Sequence, residues 1–554
     1  MGKYFKQYII NIIMKRRMIF LVLLIGVLFI VVFEFGEKES IISQTIQEDN
    51  LDGIFKKSII DWDCFDSSIV LGSDGETYVL DRDLYLSNTN LLCLNITADN
   101  IIFNGNGHTI YGTLNKSSVA VNAINVKNIT IKNIKIKYFG SPGSIFLERT
   151  NDSLIYNNSI NYGYKGIRSF YGSNNIFDSN NVSFLNATAG TSGSIAFSIS
   201  SDNNLIINNI ASNNDDTGIW IFGTNNTINN NEVNSNIDSG IILSGTGNIV
   251  DSNEMAYNGQ FGVIILSNNN TVKNSRLHHN NFGIGINNYH HQLIMNNTIF
   301  SNSYHGLYID KGTNNKIINN LFINNFGNGL QLRNSSNNIF MGGIISASVG
   351  SAILLQGYSL NNTFSNLTIE NTNSLYYDFT ADTNVFPYFY NFVGINQTIF
   401  ENIRFGKYNF GGSGGTITYK NNFGEIKFLD EVNGSGMNFS EDIQLLYNSA
   451  IVKPENNPGL QRSANVTLKE LAGNFVDPAI LKDNVKCPIE VCTNYTDLNS
   501  QTVVFKVTGW SEYTIGSLGC MGEEELEDYI DIYYSGIIDI NQMSDEIINY
   551  LNGC

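Results

Sequence analysis

Two pairs of carboxylates recur in this chain at one interval. Asp216 and Asp238 are 22 residues apart, as are Glu232 and Glu254, and Arg276 follows Glu254 by another 22. A chain that returned on itself at that interval, with strand-like spacing, would hold each pair about 5 Å apart. Retaining glycosidases use a similar separation. Such a pair can share one proton, leaving one member raised for general acid work. Asp216, Asp238, Glu232, Glu254 and Arg276 are therefore the candidate catalytic residues. The bland explanation is that neighbouring surface carboxylates are common. Arg276 would then neutralise Glu254 with the modest energy of an exposed ion pair.

Aromatic residues fall on the same interval. Trp220, Ile242, Ile264, Gly285 and Tyr308 form one outward column; Asp216, Asp238, Gln260, Asn281 and Tyr304 form another. Rings exposed on a flat sheet can stack on sugar rings, so Trp220, Tyr304 and Tyr308 are candidate ligand contacts. A long turn or a C-terminal module packed over them would explain them equally well. Five histidines, His278, His279, His290, His291 and His305, crowd into two intervals. Alignment sets His278 opposite Ser301 and His279 opposite Asn302. Neither faces a second histidine, so no metal site is expected. A base role stays open to them.

The element that would position these residues is a repeat. Gly218-Ile-Trp-Ile, Gly240-Ile-Ile-Leu, Gly262-Val-Ile-Ile, Gly283-Ile-Gly-Ile, Gly306-Leu-Tyr-Ile and Gly329-Leu-Gln-Leu recur at steps of 22, 22, 21, 23 and 23 residues. In register with them run Asn204, Asn226, Asn248, Asn270, Gln292, Asn315, Asn338 and Asn362. Period-2 alternation turns every second side chain inward. The inward columns are Ile219/Ile241/Val263/Ile284/Leu307/Leu330 and Val233/Met255/Leu277/Ile299/Phe322/Ile345. One coil cannot bury its apolar side alone, whereas stacked coils share a core. The Asn column predicts side-chain amides bonded along the axis at a turn. The fold class expected is all-β, a right-handed parallel β-helix.

The first coil carries a resemblance. Asn100-Ile-Ile-Phe-Asn-Gly-Asn-Gly-His-Thr-Ile-Tyr-Gly112 looks like the opening coil of NosD-type, pectate-lyase-like β-helix proteins, and later coils are similar to their PbH1 repeats. The resemblance covers residues 62–375 and implies the fold. It implies no single activity, because this repeat serves lyases, hydrolases, epimerases, tailspikes and surface proteins. Polysaccharide enzymes of that fold place paired Asp or basic residues on an outer face. The NosD likeness also suggests metal delivery, for which Met295 beside the histidines is poor support.

The flanks read differently. Residues 18–35 are apolar apart from Glu34 and follow Lys15, Arg16 and Arg17. A helix of that length rises ~27 Å, enough to span a bilayer core, with its basic end in the cytoplasm. We expect a cytoplasmic stub and uncleaved signal anchor over 1–36, a stalk or cap over 37–61 and the β-helix over 62–400. A small β-sandwich module follows over 401–518 and an acidic two-helix tail over 519–554. Pro458-Gly-Leu-Gln-Arg-Ser-Ala-Asn-Val-Thr-Leu468 resembles the C-terminal module of archaeal β-helix surface proteins. The tail resembles a degenerate dockerin-like helix pair, but it lacks the run of Asp and Asn ligands that a calcium loop needs.

Six cysteines suggest three disulfides in an oxidising compartment. Proximity favours Cys64–Cys93, Cys487–Cys492 and Cys520–Cys554, one of fifteen pairings. About eighteen Asn-x-Ser/Thr sequons fit export, although an Asn-rich chain makes them by chance. The net charge of −18 argues against nucleic acid as the partner. The expected protein is membrane-anchored through one N-terminal helix and extracellular. It binds glycan or another cell-surface partner, without catalysis and without a cofactor. The alternative is a polysaccharide lyase, glycoside hydrolase or epimerase working on an outer face.

Overall fold

The structure is a computed structural model. It describes residues 57–60 and 63–518, except 88, 116, 187–192, 347, 371–374, 383–394 and 412–413, together with residues 530 and 534. The apolar run at 18–35 lies outside the described residues, as do most of the stalk, nearly all of the acidic tail, Cys520 and Cys554. Among the described residues no helix is long and apolar enough to cross a membrane.

The chain forms a parallel β-solenoid with three faces. Leu154–Tyr156, Ile176–Asp178, Leu205–Ile207 and Thr227–Asn229 stack on the first face. Lys135–Lys137, Ser159–Asn161 and Asn181–Ser183 stack on the second, which continues through Glu232–Asn234, Glu254–Ala256 and Arg276–His278. The third is a sixteen-stranded sheet that includes Ile167–Ser173, Ile219–Ile221 and Leu307–Asp310. Both expected inward columns are paired residue on residue, from Ile219 through Leu330 and from Val233 through Ile345. All are buried in one continuous apolar core.

The abundance of asparagine has a double cause. Asn204 donates its backbone N–H and its side-chain Nδ2 to Asn226 Oδ1, both at 2.8 Å. Asn226 does the same to Asn248, and the ladder runs on through Asn270, Gln292, Asn315, Asn338 and Asn362. Two further ladders stand at the other corners. One passes Asn158, Asn180, Asn209, Asn231 and Asn253. The other passes Asn214, Asn236, Asn258, Asn280, Asn302 and Asn325. The residue just before each ladder position takes a left-handed backbone, as at Asn225 (φ 55°), Asn230 (φ 52°) and Asn213 (φ 59°). Asparagine suits both roles: its amide satisfies buried backbone donors, and its short polar side chain tolerates the left-handed turn.

Two boundaries differ from the sequence reading. Lys57–Ile60, assigned to the stalk, already pairs in parallel with Thr77–Leu80, so the coils begin before residue 62. At the other end, Thr398–Glu401 pairs in parallel with Ile417–Asn421 across the expected break at 401. The strands turn antiparallel only after that, through Gly424–Phe428, Ala464–Lys469 and Thr502–Val507. A second antiparallel sheet has five strands, among them Ile443–Leu446, Ser449–Val452 and Glu512–Ser517. Its apolar residues join the solenoid core, so residues 401–518 are continuous with the coils. The buried Asp442 carboxylate helps fix this end, accepting from Tyr408 Oη at 2.8 Å and Asn456 Nδ2 at 2.6 Å. Disulfides join Cys64 to Cys93 and Cys487 to Cys492.

Candidate functional site

The corner between the second and third faces carries a row of open aromatic residues. Asn213, Ser235, Ser301 and Asn324 hold its left-handed position in four coils. Five coils place a ring there: Tyr138 (φ 65°), Tyr162 (φ 59°), Phe184 (φ 58°), Tyr257 (φ 58°) and His279 (φ 55°). A bulky L residue pays about 1 kcal/mol or more in that region, so folding alone would favour Asn. Strain kept in neighbouring coils is a pointer to function.

Tyr138, Tyr162 and Phe184 lie in consecutive coils. Ring centroids are 5.8 Å apart for the first pair and 6.1 Å for the second, in stacked orientation. Their exposures are 38%, 47% and 50%. The rings border a cleft of about 510 Å³ whose other walls include Tyr164, Asn213 and Asp215. Apolar faces therefore sit beside an amide and a carboxylate, the mixture that ligand clefts use.

Beside Asp215 begins the column of Asp216 and Asp238. Asp238 N–H donates to the Asp216 carbonyl at 3.2 Å, so the two residues occupy adjacent coils as the spacing implied. Thr217 Oγ1 donates to Asp216 Oδ1 at 3.1 Å, and Ser239 Oγ lies 3.4 Å from Asp238 Oδ1. Burial and then the Asp216 charge push the Asp238 carboxyl above the usual carboxylate range. Gly193 packs directly against the Asp216 carboxylate and leaves no space there for a Cβ. Lys165 is nearby. Burial and the Arg168 charge hold its ammonium below the ordinary value, and Asp216 opposes them. Arg168 is anchored by Nη1 to the Pro142 carbonyl at 2.8 Å and lies over the Phe170 ring.

Glu232 and Glu254 are also in register, but they are not an isolated acid pair. Glu254 binds Arg276 at 3.0 Å through one oxygen and His278 Nε2 through the other. Glu254 thus has one cationic partner and one imidazole contact, and Glu232 accepts from Asn234 Nδ2 at 2.9 Å. The histidine register shifts by one from the sequence alignment. His278 pairs with Phe300 rather than Ser301, because the coil there has 22 residues and not 23. His278 Nδ1 lies 2.8 Å from His279 Nδ1. His290 Nδ1 accepts from the Thr313 backbone N–H, and His305 Nδ1 accepts from that of Asn328. Burial pushes His305 down to about 4. Among the described residues no group of three or more His, Cys, Asp or Glu is placed to hold a metal ion.

The aromatic residues expected on the third face mostly cover one another. Trp220 stacks on Phe222 at 4.6 Å and donates Nε1–H to Ser244 Oγ at 2.9 Å. Phe261 fills the space above Gly285. Phe282 joins Phe261 at 4.9 Å, Tyr304 at 5.3 Å and Tyr308 at 5.9 Å. Tyr304 remains 53% exposed.

Residues 217–369 match the family model described as right handed beta helix region. The solenoid is thus a right-handed β-helix. No curated protein matches the chain in sequence. Solved structures with a similar trace include the A-module of an Azotobacter vinelandii mannuronan C-5 epimerase, at 14% identity and a TM-score of 0.39. That match covers 59% of this chain and 85% of the module. A tailspike protein of E. coli bacteriophage HK620, solved with a pentasaccharide, is 8% identical with a TM-score of 0.42, covering 84% and 87%. A periplasmic alginate epimerase is 11% identical with a TM-score of 0.32, covering 58% and 85%.

In this β-helix the sequence columns located the Asp216/Asp238 pair but not Tyr138, Tyr162 and Phe184. The turn residue that precedes the third Asn ladder is the signal that finds them. That ladder begins at Asn214, and the rings lie in the coils ahead of it, where no Asn marks the register.

Proposed function

We propose that the protein binds a glycan in the cleft beside Tyr138, Tyr162 and Phe184. The observation that carries this reading is the set of three open rings in consecutive coils at a backbone position that favours Asn. The surface that the stacked rings leave open would take the apolar faces of sugar rings, while Asn213 and Asp215 meet hydroxyl groups. A glycan array probed with the full chain, followed by calorimetry on the strongest binder, tests it. Tyr162→Ala is expected to weaken binding about tenfold, the value of one good aromatic contact. Absence of any glycan binder, or affinity untouched by Tyr162→Ala, would overturn the reading.

A second reading is supported by the acid pair. The raised Asp238 carboxyl and the depressed Lys165 ammonium suit proton transfer in a polysaccharide lyase, hydrolase or epimerase. Turnover of the bound glycan that disappears in Asp238→Asn would favour it; binding without turnover would set it aside. Both readings suit an exported protein. The apolar run at 18–35 behind Lys15, Arg16 and Arg17 supports a membrane anchor with the solenoid outside, and the two disulfides support an oxidising compartment.

A further inference from the structure

We propose that Tyr257 and His279 form a second stacking station on the same track, so that the ligand is a linear glycan lying parallel to the solenoid axis. This rests on the reading of Tyr138, Tyr162 and Phe184 as a sugar platform. Both stations use one backbone position, the left-handed residue at the corner between the second and third faces. Tyr257 is 59% exposed, and its ring stacks on His279 with centroids 4.8 Å apart and planes 19° from parallel.

The second station is held rigid from behind. His279 Nδ1 meets His278 Nδ1 at 2.8 Å, and His278 is buried against Phe300 with ring centroids 4.5 Å apart. His278 Nε2 meets Glu254, which Arg276 clamps at 3.0 Å. This chain explains why two histidines and an ion pair gather on one part of the second face without metal geometry. It fixes the His279 ring before a ligand arrives, which lowers the ordering cost of binding.

The shared backbone position between the stations is polar. Only Asn213 and Ser235 occupy the shared position between Phe184 and Tyr257. Neither raises a bulky side chain across the track, and each offers a hydrogen-bonding group to hydroxyls. Phe184 to Tyr257 is three coils, ~14 Å at the strand spacing, and Tyr138 to His279 is six coils, ~29 Å. One coil advances by about the length of one pyranose ring, so the whole track suits a chain of about seven sugars.

The test uses oligosaccharides of three and seven residues from the β-1,4-glucan, chitin, oligogalacturonate and oligomannuronate series, titrated into the full chain. In the series that binds, the longer member is expected to bind at least tenfold more tightly. Tyr257→Ala should remove that gain and leave the trimer unchanged. Tyr257→Phe, which keeps the stack, should restore it, and unchanged thermal midpoints exclude a folding defect. Tyr162→Ala should weaken both lengths. Equal affinity for the two lengths, or a heptamer unaffected by Tyr257→Ala, overturns the second station and leaves the first reading standing. Binding insensitive to Tyr162→Ala overturns the first reading and this one with it, as does the absence of binding in all four series.

Discussion

On the third face, Phe261, Phe282, His305 and Tyr308 lie in neighbouring coils and pack on one another, while Tyr304 at the margin of the cluster stays open. At the corner between the second and third faces, Tyr138, Tyr162 and Phe184 also lie in neighbouring coils, yet each keeps a third or more of its surface open. The residue types are alike, so the backbone makes the difference. Side chains on a sheet stand perpendicular to it, and strands are about 4.8 Å apart, so outward rings close on their neighbours. Gly285 strengthens this by making room for Phe261. A left-handed turn splays its side chains toward solvent and costs the fold free energy. One aromatic group therefore packs the coil stack, and the other stays accessible to solvent.

The largest break between the two groups should come with acid. His305 belongs to the face cluster, and burial holds its folded value at about 4 against 6.5 for an ordinary histidine. As pH falls from about 6.5 to about 4, the unfolded chain takes up a proton that the folded chain refuses. Stability should fall through that window by roughly 3 kcal/mol, because each unit is worth about 1.4 kcal/mol. Urea midpoints measured from pH 7 to pH 4 should show this loss in the parent and a flatter profile in His305→Gln. Next in size is Phe282→Ala. Removing the ring that touches Phe261, Tyr304 and Tyr308 should cost about 2 kcal/mol of stability with glycan affinity intact. The complementary change, Tyr162→Ala, should cost about tenfold in affinity and little in thermal midpoint. If either variant moved both quantities equally, the division between a packing cluster and a binding cluster would fail.

Much of this division was hidden in the sequence for a physical reason. The apolar columns are legible because inward residues must repeat to share a core; Ile219 through Leu330 gave the register directly. One Asn ladder was legible for the same reason. The ladders at Asn231 and Asn236 were harder to find because Ser275 interrupts one and the other begins only at Asn214. The partner of His278 was shifted by one residue because the step on this face stays at 22 there and lengthens to 23 only in the next coil. The Arg276–Glu254 ion pair is legible in the repeat, whereas the contact of His278 with the other Glu254 oxygen is not. The rings at the corner were not legible because Tyr138, Tyr162 and Phe184 sit in turns of coils that precede the Asn ladder of that corner.

The smallest expected effect lies where the two regions meet. The column that starts at Asp216 and Asp238, beside the open cleft, ends at Tyr304 on the margin of the face cluster. Asp238 has a folded value raised above 3.8, chiefly by burial and then by the Asp216 charge. Its charged form is therefore penalised in the fold. The folded chain keeps that proton to higher pH than the unfolded chain does, so stability falls as pH rises through the window above 3.8. Asp238→Asn removes the penalty. The variant should unfold at slightly higher urea than the parent at pH 7, and the two should converge as pH drops below the ordinary carboxylate range. Its glycan affinity should match the parent's if the cleft only binds, since the rings and Asp215 are untouched. A variant less stable than the parent at pH 7 would mean that the Asp238 charge is matched by a partner rather than tolerated. The acid pair would then belong with the self-satisfied face and not with the open corner.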